Sequence, residues 1–110
     1  MTEILFVVQG SAPEPYEVAF RQDGNRITAS CTCPAGAFSR LCKHRLRIMS
    51  GDRSGIISEN LSAVLDIQTW VSGTNIGKAL LELQDAERQL EEAKKRIGSS
   101  KKRLADFLGV

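Results

Sequence analysis

All three cysteines of this 110-residue chain and its only histidine lie in one stretch, CTCPAGAFSRLCKH, at residues 31–44. The spacing is C-x-C-x8-C-x-H. Thiolate sulfur and imidazole nitrogen are the ligands that zinc takes in a tetrahedron, at about 2.3 Å and 2.0 Å respectively. Two tight pairs separated by a short loop meet that demand. A turn around Thr32 swings the Cys31 and Cys33 sulfurs to one side. Pro34 and Gly36 bend the chain back, and Cys42 and His44 open the next element. Four protein ligands leave no position for water, so the pattern predicts a structural Zn2+ held by Cys31, Cys33, Cys42 and His44. Three cysteines cannot all pair as disulfides, and reduced thiols fit a cytoplasmic compartment, or a nuclear one in a eukaryote.

The elements around this stretch must deliver the ligands. Ile4 to Val8 is an apolar strand candidate, and Gly10 to Pro15 is a loop carrying two prolines. Tyr16, Val18 and Phe20 alternate with Glu17, Ala19 and Arg21, the period of a half-buried strand. Asp23-Gly24-Asn25 is a turn signal. Arg26 to Ser30 returns as a strand that runs straight into Cys31. After Cys42, KHRLRIMSG reads as a short helix stopped by Gly51. Ser58-Glu59 is a candidate cap for a second helix, with Leu61, Val64, Leu65 and Val71 on one face and Gly73 at its end.

A third helix carries the cleanest periodicity. Ile76, Leu83, Leu90, Ile97 and Leu104 recur every seven residues, and Ala79, Ala86, Ala93, Ser100 and Phe107 follow each by three. This is a sustained a/d seam with a mostly small d position. The phase survives Gly98-Ser99-Ser100, so one continuous helix is expected. The seam offers a homodimer contact through Ile76, Leu83, Leu90, Ile97 and Leu104, a surface for another partner, or packing onto the rest of the chain. The expected fold class is therefore α+β. A small antiparallel sheet with a zinc-bound ββα finger occupies residues 1–55. A helical region over 56–110 follows, ending in a long amphipathic helix at about 75–108.

With Pro34 after the second cysteine and Cys42-Lys43-His44 opening a helix, residues 16–50 resemble the SWIM zinc finger. In that family a β-hairpin supplies the first two ligands and a following helix the last two. The resemblance thus implies the same four zinc ligands, in modules described as DNA-binding or protein-interacting. The CDGSH iron–sulfur family also uses three cysteines and one histidine. Its histidine lies four residues beyond the third cysteine, whereas His44 follows Cys42 by two.

The formal net charge is only +2, but its distribution is uneven. Arg40, Lys43, Arg45, Arg47 and Arg53 crowd residues 31–55 against the single Asp52. If the helix starts near Arg40, then Arg40, Lys43 and Arg47 share a side of it. Such a patch suits weak, salt-sensitive phosphate contact with DNA or RNA. It equally suits a solvated face whose arginines pair with Glu14, Glu17 or Asp52. No aromatic cluster interleaves with these charges, so a base-stacking platform is not indicated. The thiols and the imidazole are committed to metal, no glycine-rich phosphate loop is present, and no carboxylate pair stands out. Catalysis and a small-molecule substrate are not expected. The five-residue apolar run at Ile4–Val8 is neither a signal sequence nor a membrane span. Two readings follow: a nucleic-acid-binding accessory module, or an interaction adaptor that uses the finger as scaffold and the long helix as a docking element.

Overall fold

The structure, a computed structural model, describes residues 1–38 and 40–110. Three antiparallel strands come first: β1 (Thr2–Val8), β2 (Tyr16–Asp23) and β3 (Arg26–Cys31), in the order β1-β2-β3. Four helices follow: α1 (Pro34–Ala37), α2 (Lys43–Met49), α3 (Ala63–Val71) and α4 (Asn75–Leu108). The fold is α+β, as the sequence predicts. No helix among the described residues is long and apolar enough to cross a membrane.

Register follows from side-chain chemistry. Ile4 faces Phe20 and Phe6 faces Val18 across β1 and β2, while Phe20 faces Ala29 and Val18 faces Cys31 across β2 and β3. The period of two places these residues on one side of the sheet, and a slip by one would expose the whole set. Phe6 and Phe20 meet edge to face at 6.2 Å between ring centroids. The β2–β3 hairpin turns at Gly24, whose φ of 60° is a left-handed conformation that glycine enters without strain.

The outer edge of β1 is covered rather than left open. Val8 bridges Ile56, Gln9 N–H donates to the Gly55 carbonyl at 2.7 Å, and Ile57 N–H donates to the Val7 carbonyl at 2.8 Å. Ser58 Oγ accepts from Val7 N–H, and the Asn60 side-chain amide donates to the Leu5 carbonyl. Pairing of this kind removes an exposed strand edge that would otherwise template aggregation.

This use of Ser58 corrects the expected cap at Ser58-Glu59. The hydroxyl serves β1 instead, and α3 begins at Ala63 with Ser62 as its N-cap residue. The buried face of α3 is also different. Val64, Ile67 and Val71 point inward, whereas Leu61 and Leu65 are exposed. The inward stripe falls on the i, i+3, i+7 positions 64, 67 and 71, which leaves Leu65 on the solvent side. The expected stop at Gly73 is present, with φ of 75°.

The chain forms two compact units, Met1–Asn75 and Ile76–Val110. The first takes in α3 as well as the sheet, because Val64 and Ile67 of α3 join Phe6, Val8, Val18, Phe20 and Ile48 in one buried cluster. The second unit holds nearly all of α4, one unbroken helix through Gly98.

Candidate metal centre

Each of the four ligand candidates sits at the end of an element, where backbone groups lack partners of their own and side chains can be aimed. Cys31 closes β3, opposite Val18. The chain is held past that point because Thr32 N–H donates to the Glu17 carbonyl at 3.1 Å and Glu17 N–H donates to Thr32 Oγ1 at 2.9 Å. Cys33 is the N-cap of α1, and its Sγ accepts from Gly36 N–H at 3.4 Å. Pro34 occupies the first helical position, where a missing N–H costs nothing. This one-turn helix was not expected from the sequence, which reads Pro34 to Leu41 as a bent loop. Cys42 is the N-cap of α2, and His44 lies in the first turn of that helix.

The four ligand atoms converge within 4.8 Å of one another, and all four residues are buried. His44 presents Nδ1 to the thiols, 3.7 Å from Cys31 Sγ. Sulfur and nitrogen bound to one zinc at about 2.3 and 2.0 Å would lie about 3.5 Å apart at the tetrahedral angle. The Cys31–His44 spacing is close to that value.

Two glycines make room for it. A Cβ on Gly36 would overlap the Cys31 carbonyl, so the knuckle between the ligand pairs closes only around a bare α-carbon. A Cβ on Gly10 would come within 2.7 Å of the Tyr16 ring. That ring lies tilted against His44, at 5.2 Å between centroids. His44 Nε2 is buried on this side with no hydrogen-bond partner among the described residues.

The electrostatics favour a bound cation. Burial pushes the Cys31 thiol up to about 12, and the Cys33 backbone N–H only partly offsets it. A thiolate there needs a positive ion beside it. Burial also opposes ionisation of Cys42, but hydrogen bonds from the Arg45 backbone and guanidinium, with the other two thiols, outweigh it and bring Cys42 below its ordinary value. His44 is held below the usual imidazole range by burial and then by the positive charges of Lys43 and Arg47. A neutral imidazole keeps a lone pair available to a metal.

The five basic residues are not equivalent. Helix α2 starts at Lys43 rather than near Arg40, so Arg40 precedes it in irregular chain and Lys43 and Arg47 alone share a helical side. Arg40, Lys43, Arg47 and Arg53 are exposed and make no ion pair among the described residues. Arg47 does lie near enough to Asp52 to help hold its carboxyl low, after the larger effect of hydrogen bonds from Ser54. Arg45 turns inward. Its Nε donates to Cys42 Sγ at 3.3 Å, one terminal nitrogen donates to the Ala29 carbonyl at 3.1 Å, and the other to the Arg40 carbonyl. It clamps β3, the knuckle and α2 around the third ligand. The sequence shows only a basic residue three positions after Cys42; its inward turn depends on Ala29, distant in the chain. Phe38, 76% exposed, follows α1 at the knuckle, and Leu41 is exposed as well.

Comparison with known proteins agrees with this geometry. Residues 6–50 match the family model described as SWIM zinc finger. No curated protein and no solved structure matches the chain. The matched segment runs from Phe6 in β1 to the end of α2, and so takes in the sheet, the knuckle and all four convergent ligand residues. It excludes α3 and α4. Residues 6–50 thus match a SWIM zinc finger, and Cys31, Cys33, Cys42 and His44 are gathered within them as a ligand set fit for a structural Zn2+.

Proposed function

We propose that the chain is a non-catalytic, nucleic-acid-binding accessory module, in which zinc fixes a basic surface for phosphate contact. The observation that carries this reading is the placement of Lys43 and Arg47. They lie one turn apart on α2, exposed and without an ion pair among the described residues, on a helix whose start carries two of the ligand residues. Arg40 and Arg53 extend the positive surface at either end of that helix. Lys43 and Arg47 already depress the protonation of His44, so their field is felt across the helix. A set of four exposed cations supports sequence-independent affinity that falls steeply with salt. Base-edge readout would need further polar groups in register with a groove.

A second reading is an interaction adaptor, favoured by the apolar seam of α4. Leu90, Ile97 and Leu104 are each between 55 and 60% exposed. Under that reading the finger is a scaffold and the long helix carries the contact.

Fluorescence anisotropy separates the two. Zinc-loaded protein is titrated into labelled double- and single-stranded DNA at several salt concentrations. With about four phosphates neutralised, the slope of log K against log salt on duplex should approach −3 to −4. Arg40→Glu, Lys43→Glu and Arg47→Glu should each weaken binding and reduce that slope by about one, with zinc content unchanged. No binding at low salt would reject the nucleic-acid reading and leave α4 as the working surface.

A further inference from the structure

We propose that α4 pairs with α4 of a second copy of this chain, and that the two helices run antiparallel. The proposal is independent of the nucleic-acid reading. It rests on the exposed seam, on the alternation of large and small residues along it, and on the charge of its two halves.

From Glu82 to Glu92 the helix carries five acidic residues and one base, Arg88; from Lys94 to Arg103 it carries six bases and no acid. The helix dipole does not account for this division. Its influence is confined to the first and last turns, and α4 has no acid in its first turn and no base in its last. Turned head to tail, the acidic half of one copy lies along the basic half of the other. Set parallel, like would face like.

The heptad positions sharpen the argument. In a parallel pair a residue at g faces the partner's next e position, which sets Glu82 against the partner's Glu87 and Arg96 against the partner's Lys101. Both contacts are repulsive, and symmetry doubles each. In an antiparallel pair g faces g and e faces e. Glu82 then meets the partner's Arg103, Glu87 meets the partner's Lys94, and Gln89 meets the partner's Arg96, with no like-charge contact. Glu82, Glu87, Arg96 and Arg103 make no ion pair among the described residues, so these charges are free to pair across an interface.

The same register solves the packing. Antiparallel helices layer each a residue on a partner's d residue. Leu90 then sits on the partner's Ala93, Leu83 on the partner's Ser100, Ile97 on the partner's Ala86 and Leu104 on the partner's Ala79. Ile76 meets the partner's Phe107. Every layer but the last sets a large side chain against a small one, which lets the helix axes approach closely. A parallel register would stack Leu on Leu and leave Ala on Ala, alternating wide and hollow layers. A shallow groove of about 450 Å³ along Ala93, Ile97, Ser100 and Leu104 marks where the partner's side chains would seat.

The orientation has opposite consequences for one substitution. Glu87→Lys turns an attraction into a repulsion in the antiparallel pair but relieves a repulsion in the parallel one. Light scattering of the full-length, zinc-loaded protein across the micromolar range should give twice the 12.1 kDa chain mass. Glu87→Lys should raise the dissociation constant several-fold, and Lys94→Glu in the same chain should restore it. Cross-linking gives an independent reading. Leu83 and Ser100 lie about 26 Å apart along one helix at 1.5 Å per residue, too far for a disulfide between like positions of an antiparallel pair. Leu83→Cys mixed with Ser100→Cys should therefore form a disulfide-linked dimer on oxidation, while either variant alone, like the wild-type control, should not. Cross-linking of each variant alone, or tighter association in Glu87→Lys, would overturn the orientation. A monomeric mass at every concentration would overturn the pairing altogether.

Discussion

Arg45 illustrates how a residue type conceals its use. By sequence it is one more cation in a basic run, yet its guanidinium is spent on Cys42 Sγ and on the carbonyls of Ala29 and Arg40. Partners that orient a ligand from behind commonly govern metal affinity by about 10–100-fold. Arg45→Ala should therefore weaken zinc binding by a factor in that range in a chelator competition, whereas Arg47→Ala, at an exposed position, should leave it unchanged. Equal effects of the two would show that the clamp is incidental. The thiols add a pH dependence whose sign is fixed. Zinc takes thiolates and neutral imidazole, so protons compete with it, and affinity falls as pH falls. The raised Cys31 thiol holds its proton at neutral pH until the metal displaces it. Calorimetric titration in buffers of different ionisation enthalpy should record at least one proton released per zinc bound at pH 7; zero release would mean that the thiolates exist before the metal arrives.

At the scale of elements, α3 shows where local reasoning stops. A buried, fully enclosed Ile67 ties α3 to the sheet and to α2. Truncation of a large aliphatic core residue costs about 2–5 kcal/mol. Ile67→Ala should thus lower the unfolding free energy of the first unit, measured by denaturant titration, by that amount, while Leu65→Ala on the exposed side should change it by less than about 0.5 kcal/mol. Reversal of that order would restore the helical face read from sequence. The strands were legible because alternation has a period of two and Gly24 marks the turn between β2 and β3. The ligands were legible because soft side chains are rare and were concentrated in one stretch. The start of α3 was not legible, because Ser58 is a good cap residue anywhere. Only the folded chain reveals that it serves Val7 of β1 instead. The one-turn helix α1 was equally hidden, since four residues carry no periodicity and Gly36 is explained only by its approach to the Cys31 carbonyl.

At the scale of the whole molecule, the two units draw their stability from different sources. The first has a core of few large side chains, and its thiols are part of that core. Structural zinc in finger peptides contributes on the order of 10–16 kcal/mol, as much as the entire stability of a typical domain, about 5–15 kcal/mol. Removing the metal leaves three buried thiols and an imidazole facing one another with no ion to organise them, and α2 is then joined to the sheet through Ile48 in the core and the Arg45 clamp. The second unit contains no metal ligand, and α4 holds more than half of the residues in helices. Trp70, packed against the first core, is the only tryptophan and so reports on that unit alone. Chelation, or Cys33→Ser, should shift Trp70 emission to the red as the first unit opens, while more than half of the helical signal at 222 nm remains. That remaining signal should grow with protein concentration if α4 is sustained by pairing, since an isolated helix gains nothing from its neighbours. An unchanged Trp70 spectrum after verified zinc removal would mean that the sheet and α3 hold the first unit without the ion, and the metal would then be a local clasp on the knuckle rather than a condition of folding.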